Sequence, residues 1–342
     1  MGEVSTIGLD LAKHVFQVHG IDKLGSVVVR KQLRRSAVLK FFAELPPCTI
    51  GIEACSSAHY WARELIALGH EVKLMPPAYV KPYVKRGKND AADAEAICEA
   101  VLRPTMRFVP VKSAEQQANA MIYKVRELLV RQRTQLINAL RSHLSEMGII
   151  AAKGTGKLDD LIAIVRDQND GRLPSPARQA LEELAGQIEA LDARLDPLQE
   201  EITSQVRSNE AGRRLATVPG VGPIIAGALL AMVPDPAGFR SARHFATWLG
   251  FAPRQKSSGG KQRLGSISKQ GNRYLRSLLI LGAANVLRRR GASKSAWLVA
   301  LRGRRPFRVV AVALAHKMAR IVWALMVKGG IYRAVAPAAA QG

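Results

Sequence analysis

The chain has 342 residues, with 51 Lys and Arg against 27 Asp and Glu, for a net charge of +24. That length carries two or three domains and ample core, and the positive excess calls for an anionic partner. Membrane and export roles are disfavoured. The most apolar late stretch, residues 309–327, is broken by His316, Lys317 and Arg320, and Met1-Gly2-Glu3 leads into a strand pattern without a signal segment. Cys48, Cys55 and Cys98 lack metal-ligand spacing and suit reduced thiols in a cytoplasm.

In chain order, strand patterns are expected over residues 4–9, 15–20 and 26–31, then a short helix over 36–45 stopped by Pro46-Pro47. A strand over 48–53, a helix over 58–68 closed by Gly69, and a strand over 71–75 follow. Three strands joined by tight turns and then alternating helix and strand make an α/β layer on a mixed sheet. Asp10 and Glu53 each end a strand. If those strands are parallel neighbours, the two carboxylates sit side by side at one sheet edge. Taken alone, Asp10 also suits an ordinary turn.

Residues 84–97 combine Lys85, Arg86 and Lys88 with an Ala-rich helix start bearing Asp90 and Asp93. The i, i+3 spacing puts these two acids on one face. Capping by Asn89 or Asp90 and the helix dipole explain one or two acids there. They do not explain why two strand-end carboxylates precede them.

Ser113 opens a long helix through a capping box, with Ile122, Val125, Leu129, Leu136, Leu140, Leu144 and Met147 on one stripe ended by Gly148. Residues 153–175 read as loop or short helix. A second long helix starts at Ser175-Pro176, with a heptad seam of Leu181, Leu184, Ile188, Leu191, Leu195, Leu198, Ile202 and Val206. Pro197 inside it should kink or split the helix. The two helices suggest an antiparallel coiled-coil pair that offers a dimerisation surface. The expected division is residues 1–103, 104–212 and 213–342.

From Arg213 the composition changes. Asp235 is the last acidic residue, and residues 236–342 hold 21 Lys and Arg with no Asp or Glu. Such a segment repels itself unless an anion neutralises it, and nucleic acid is the natural one. Val218 to Ala226 resembles a helix-hairpin-helix turn in which Gly220 and Gly222 leave backbone N–H groups for a phosphate, or an ordinary Gly-Pro turn between packed helices. An amphipathic helix over 239–250 leads into a flexible basic loop over 254–273. Ala/Leu/Arg helices then run to about Lys328.

The hard oxygen ligands Asp10, Glu53, Asp90 and Asp93 suit Mg²⁺, with a two-ion site within reach of the donor count. No carboxylate follows Asp235, so any chemistry in the basic third needs another group. Ser258, between Ser257 and two glycines and ringed by Lys256, Lys261 and Arg263, is the candidate nucleophile; a solvated linker is the alternative.

Six motifs occur in order over nearly the whole chain: Gly8-Leu9-Asp10-Leu11-Ala12-Lys13, Ile52-Glu53-Ala54-Cys55, Lys88-Asn89-Asp90-Ala91-Ala92-Asp93-Ala94, Pro219-Gly220-Val221-Gly222, Ser257-Ser258-Gly259-Gly260-Lys261 and Ile267-Ser268-Lys269-Gln270-Gly271-Asn272. Together they resemble the DEDD transposases of bacterial insertion sequences. The resemblance implies an α/β RuvC-like domain of the RNase H fold, long coiled-coil helices, and a mostly α-helical C-terminal domain with a helix-hairpin-helix-like motif. It implies that Asp10, Glu53, Asp90 and Asp93 are a catalytic, Mg²⁺-binding tetrad and that Ser258 links covalently to DNA. Spacing alone leaves Ser257 open beside it.

By the same resemblance the partners are donor and target DNA and a guide (bridge) RNA. Gly220, Gly222, Lys256, Lys261, Arg263, Lys269, Arg273 and Arg276 are the expected nucleic-acid contacts, and the assembly is a homodimer or homotetramer with no membrane. The protein is expected to be cytoplasmic, and nucleoid-associated when active. The expected activity is cleavage and rejoining of DNA strands. The alternatives are a RuvC-like nuclease on branched DNA that uses water alone, and a non-enzymatic basic nucleic-acid-binding protein.

Overall fold

The computed structural model describes residues 3–85, 90–152, 155–256, 261, 263–289 and 295–333. The chain divides into two compact units, Met1–Ala118 and Asn119–Gly342.

The first unit is built on β1 (Thr6–Asp10), β2 (Val15–Ile21), β3 (Val27–Arg34), α1 (Val38–Ala43), β4 (Thr49–Glu53), α2 (Ala58–Ala67), β5 (Glu71–Met75), α3 (Pro77–Val80) and α4 (Asp90–Val101). Its five strands run in the order β3-β2-β1-β4-β5. β1 and β2, and β2 and β3, pair antiparallel, while β1–β4 and β4–β5 are parallel, so the sheet is mixed as expected. One face is sealed by Ile7, Leu9, Ile50 and Ile52 packed with Val38, Phe42, Trp61 and Leu65 of α1 and α2. Removing such side chains from water supplies most of the driving force for this layer.

α4 covers the other face. Two glycines in register, Gly8 on β1 and Gly51 on β4, make room for it. A Cβ at Gly8 would come within 2.1 Å of the Ala94 carbonyl oxygen and 2.4 Å of the Cys98 nitrogen; at Gly51 it would meet the Val101 Cβ at 2.9 Å. The Ala-rich stretch of α4 therefore lies almost on the backbone of the two central strands.

The second unit is helical apart from one hairpin. α5 (Ala114–Glu146), whose first turn precedes the division between the units, is followed by α6 (Leu158–Arg166), α7 (Ser175–Ser208), α8 (Glu210–Ala216), α9 (Pro223–Met232) and α10 (Ala242–Trp248). Then come β6 (Pro253–Gln255), β7 (Leu264–Ile267), α11 (Arg273–Arg288), α12 (Ala296–Arg304) and α13 (Phe307–Lys328).

α5 and α7 are antiparallel. Arg133 pairs with Asp192, and the Arg126 Nη2 donates to Gln199 Oε1 at 2.9 Å, so one number rises as the other falls. The α7 seam is buried inside the chain: Leu181 and Ile188 join Leu140 and Leu144, while Ile202 and Val206 enter the core around α9. Two expectations change here. Pro197 does not split α7, which is one helix from Ser175 to Ser208. The α5 stripe is only partly covered, because Val125 and Met147 are exposed and the residues α5 buries are Tyr123, Leu140 and Leu144.

Among the described residues α13 is the one helix long and apolar enough to cross a membrane by length and composition. It buries Val310, Ala311, Ala315, Met318, Ala319 and Val322 within the second unit.

Candidate active site

Strand alternation brings the acids together. Asp10 lies two residues beyond Gly8, and Glu53 two beyond Gly51, so both carboxylates share the face on which α4 lies. The parallel register pairs Leu9 with Ile52, which sets Asp10 beside Glu53 at the C-terminal edge of β1 and β4. Asp90 and Asp93 occupy the first turn of α4. Because Ala94 and Cys98 sit over Gly8, that first turn projects toward Asp10.

The electrostatics record the convergence. The Asp10 carboxyl is pushed up to about 6, first by burial and then by the charges of Asp93, Asp90 and Glu53, against one stabilising bond from the Leu11 backbone. Glu53 is raised by burial and by Asp93. Cys55 is raised by burial and then by Glu53 and Asp10, which locates this thiol beside the same cluster. Like charges in one neighbourhood disfavour ionisation; a cation reverses the sign.

Among the described residues, no three Asp, Glu, His or Cys side chains are drawn close enough to close around an ion. Asp90, Asp93 and Glu53 share the electrostatic field of Asp10. Their donor chemistry is all oxygen and fits Mg²⁺ rather than a soft metal. The site signal that the sequence reading missed is the glycine pair. Gly8 and Gly51 occupy equivalent strand positions two residues before each carboxylate, and they set the depth of α4.

The basic loop is more ordered at its base than expected. β6 and β7 form an antiparallel hairpin, and the Lys256 N–H donates to the Arg263 carbonyl at 2.9 Å. Ser257, Ser258, Gly259 and Gly260 lie outside the described residues. Lys256, Lys261, Arg263, Lys269 and Arg273 are exposed.

The segment after β7 is held by packing. A Cβ at Gly271 would meet the Trp248 carbonyl oxygen at 1.8 Å, and Asn272 caps α11 by accepting from the Leu275 N–H at 3.1 Å. Arg276 departs from its expected surface role. It is 7% exposed, and its Nη1 donates to the carbonyls of Leu249 and Gln270, each at 2.8 Å. Burial commits this guanidinium to clamping the α10 end onto the hairpin base.

The Pro219–Gly222 turn also serves packing. Gly220, at φ 86°, has the Gly282 carbonyl oxygen 2.7 Å from where a Cβ would stand, and Gly282 in turn lies against Gly220. Nothing crowds Gly222, whose carbonyl accepts from the Ile225 and Ala226 N–H groups at the start of α9.

Comparison with known proteins finds relatives over nearly the whole chain. A family model described as "Transposase IS116/IS110/IS902 family" matches residues 212–298, and a DEDD transposase model of the IS110 type matches residues 7–149. The chain is 52% identical over 334 residues to a Pseudomonas aeruginosa protein named "Probable family 20 transposase", covering 96% of this chain and 99% of that one. It is 38% identical over 336 residues to the transposase for insertion sequence element IS1111A of Coxiella burnetii, covering 97% and 92%. It is 36% identical over 335 residues to the transposase for IS1328 of Yersinia enterocolitica, covering 97% and 99%. A carboxylate cluster at a sheet edge, an acid-free basic stretch over residues 236–342 and these full-length similarities converge on one conclusion: the chain belongs to the IS110/IS116 family of insertion-sequence transposases.

Proposed function

We propose that this transposase is a Mg²⁺-dependent DNA recombinase in which Asp10, Glu53, Asp90 and Asp93 hold the metal and Ser258 is the nucleophile. The observation that carries the metal reading is the elevation of Asp10 to about 6 by burial and by the other three acids. A buried carboxylate whose proton affinity is raised by three neighbouring acids makes, with them, a seat for a hard divalent cation. When bound, Mg²⁺ supplies charge neutralisation and polarisation of phosphate oxygens. Asp10 and Glu53, on adjacent strands, orient the site; Asp90 and Asp93 close it from α4.

The Ser258 hydroxyl attacks the scissile phosphorus, and its proton passes to the departing deoxyribose oxygen, leaving a serine phosphodiester. Attack on that ester by the hydroxyl of a second strand releases the serine and rejoins DNA, so each bond broken is matched by one formed. Lys256, Lys261 and Arg263, close to Ser258 in sequence, offset the charge that builds on the phosphate.

The strand order β3-β2-β1-β4-β5 with α4 across its centre supports a RuvC-like, RNase-H-type fold for the first unit. The open side of Gly222 supports a phosphate contact at the start of α9. A guide RNA, exposed contacts at Lys269 and Arg273, and a homodimer or homotetramer complete the reading.

Strand exchange by purified protein on donor and target DNA tests it. Ser258→Ala abolishes both exchange and a detergent-stable protein–DNA adduct, and EDTA abolishes exchange by wild type. Full activity of Ser258→Ala with no adduct in wild type points instead to a water-only nuclease. Sequencing the RNA that co-purifies with the protein tests guidance.

A further inference from the structure

The first unit has a second recess at the same sheet edge as the carboxylates, on the opposite side of the sheet. A cavity of about 890 Å³ opens between the β1–β2 turn, the end of β3 and the start of α2, lined by His14, Arg34, Arg35, Ser57, Tyr60 and Trp61 among others. Among the described residues, no carboxylate lines it. The Arg35 guanidinium lies 5.1 Å from the Trp61 ring centroid and 5.8 Å from that of Phe16, and its backbone N–H donates to the His14 carbonyl at 2.9 Å. Tyr60 stands edge-on to Trp61, with centroids 5.2 Å apart, and is 41% exposed. Trp61 is 3% exposed, and its Nε1–H has no acceptor among the described residues.

A purely structural role accounts for part of this. Arg35 stacked on Trp61 and Phe16 would stiffen the corner. It does not account for Arg34 or for the bare Tyr60 ring. Cations and an open aromatic face in one cavity match a nucleotide. The phosphate meets the arginines and His14, and the base lies on Tyr60.

The geometry points to this recess as the seat of an unpaired nucleotide of the DNA strand that is cut. An unpaired base is required because paired bases have their faces covered by the stack. His14 and Ser57 each lie four residues beyond a site carboxylate, Asp10 and Glu53, so the recess is within about 14 Å of chain from the acids. That is about four nucleotides at ~3.4 Å of axis per strand charge. The choice of the cut strand as occupant rests on the recombinase reading above.

Photo-cross-linking of the full chain tests the assignment in EDTA, where no exchange is needed, so its outcome is separate from that of the serine chemistry. A single-stranded oligonucleotide carrying 5-bromodeoxyuridine is irradiated with the protein and adducts are mapped after trypsin digestion. The expected adduct falls on residues 41–63, the fragment that holds Tyr60 and Trp61. Tyr60→Ala and Arg34→Ala each lower its yield about fivefold or more, Tyr60→Phe retains it, and adducts elsewhere in the chain stay unchanged. Absence of an adduct on 41–63, equal yield from duplex DNA, or indifference to Tyr60→Ala overturns the proposal. A stronger adduct from 5-bromouridine RNA of the same sequence overturns DNA as the occupant.

Discussion

The two units handle charge in opposite ways. In the first, four acids meet at one sheet edge and disfavour one another's charge, with Asp10 pushed up to about 6. In the second, the last 107 residues contain no acid at all, and cations such as Lys256, Lys269 and Arg273 stay exposed. The contrast separates chemistry from affinity. A carboxylate cluster repels DNA unless a cation intervenes, whereas a basic helical unit attracts any DNA without needing to act on it. A protein that must both grip and cut a polyanion benefits from keeping these tasks on different parts of its chain.

The largest expected effect breaks the comparison on the acidic side. On the proposed Mg²⁺ reading, Asp93→Asn should lower strand exchange by about 10³-fold, as loss of charge at a metal-assisted phosphoryl-transfer site does. DNA affinity measured by filter binding should stay within about twofold. An equal loss of both would merge the two tasks.

Next is the packing beneath the acids. Gly8→Ala places a methyl 2.1 Å from the Ala94 carbonyl oxygen, where only backbone can yield. About 3 kcal/mol of stability should be lost in urea unfolding, with exchange falling as α4 is displaced.

The basic side is sharpened by comparing two cations. Arg276→Ala leaves two carbonyls unmatched inside the second unit and should cost about 2–3 kcal/mol, while leaving the affinity of the folded protein for DNA unchanged. Lys269→Ala should leave stability alone and reduce the slope of log K against log salt by about one.

The smallest effect concerns pH. Asp10 is raised in the folded chain, so stability present below its usual value of 3.8 is lost as pH rises through about 6. Without divalent cations, Asp10→Asn should be more stable than wild type by about 1–2 kcal/mol at pH 7, after allowance for its partial exposure, with no advantage at pH 4. Thermal melts of both proteins across that range check the sign.

Much of this was readable from local pattern. The strand over residues 71–75, the helix ending at Lys328 and the carboxylates at two strand ends follow from residue alternation, stop signals and charge. The failures share a cause. Arg276 looked like one more surface cation, and Val125 looked like a core residue, because neither burial nor the covering element is visible in a periodic stripe. Pro197 suits a kink or a split, and the split does not occur: the helix continues through it, with the seam residues Leu195 and Ile202 on either side anchored in the interior.

Local chemistry along the chain is enough to define the element types, the excess charge and its acid-free end, because those depend on neighbours in sequence. It cannot decide which glycine is needed for close approach. Gly8 and Gly51 matter because a helix some 40 to 90 residues later lies on them, and Gly220 because Gly282 meets it across the second unit. The same limit applies to Asp10. Its residue type allowed a turn or a metal ligand, and its raised proton affinity exists only because β1, β4 and α4 fold to bring three other charges near it.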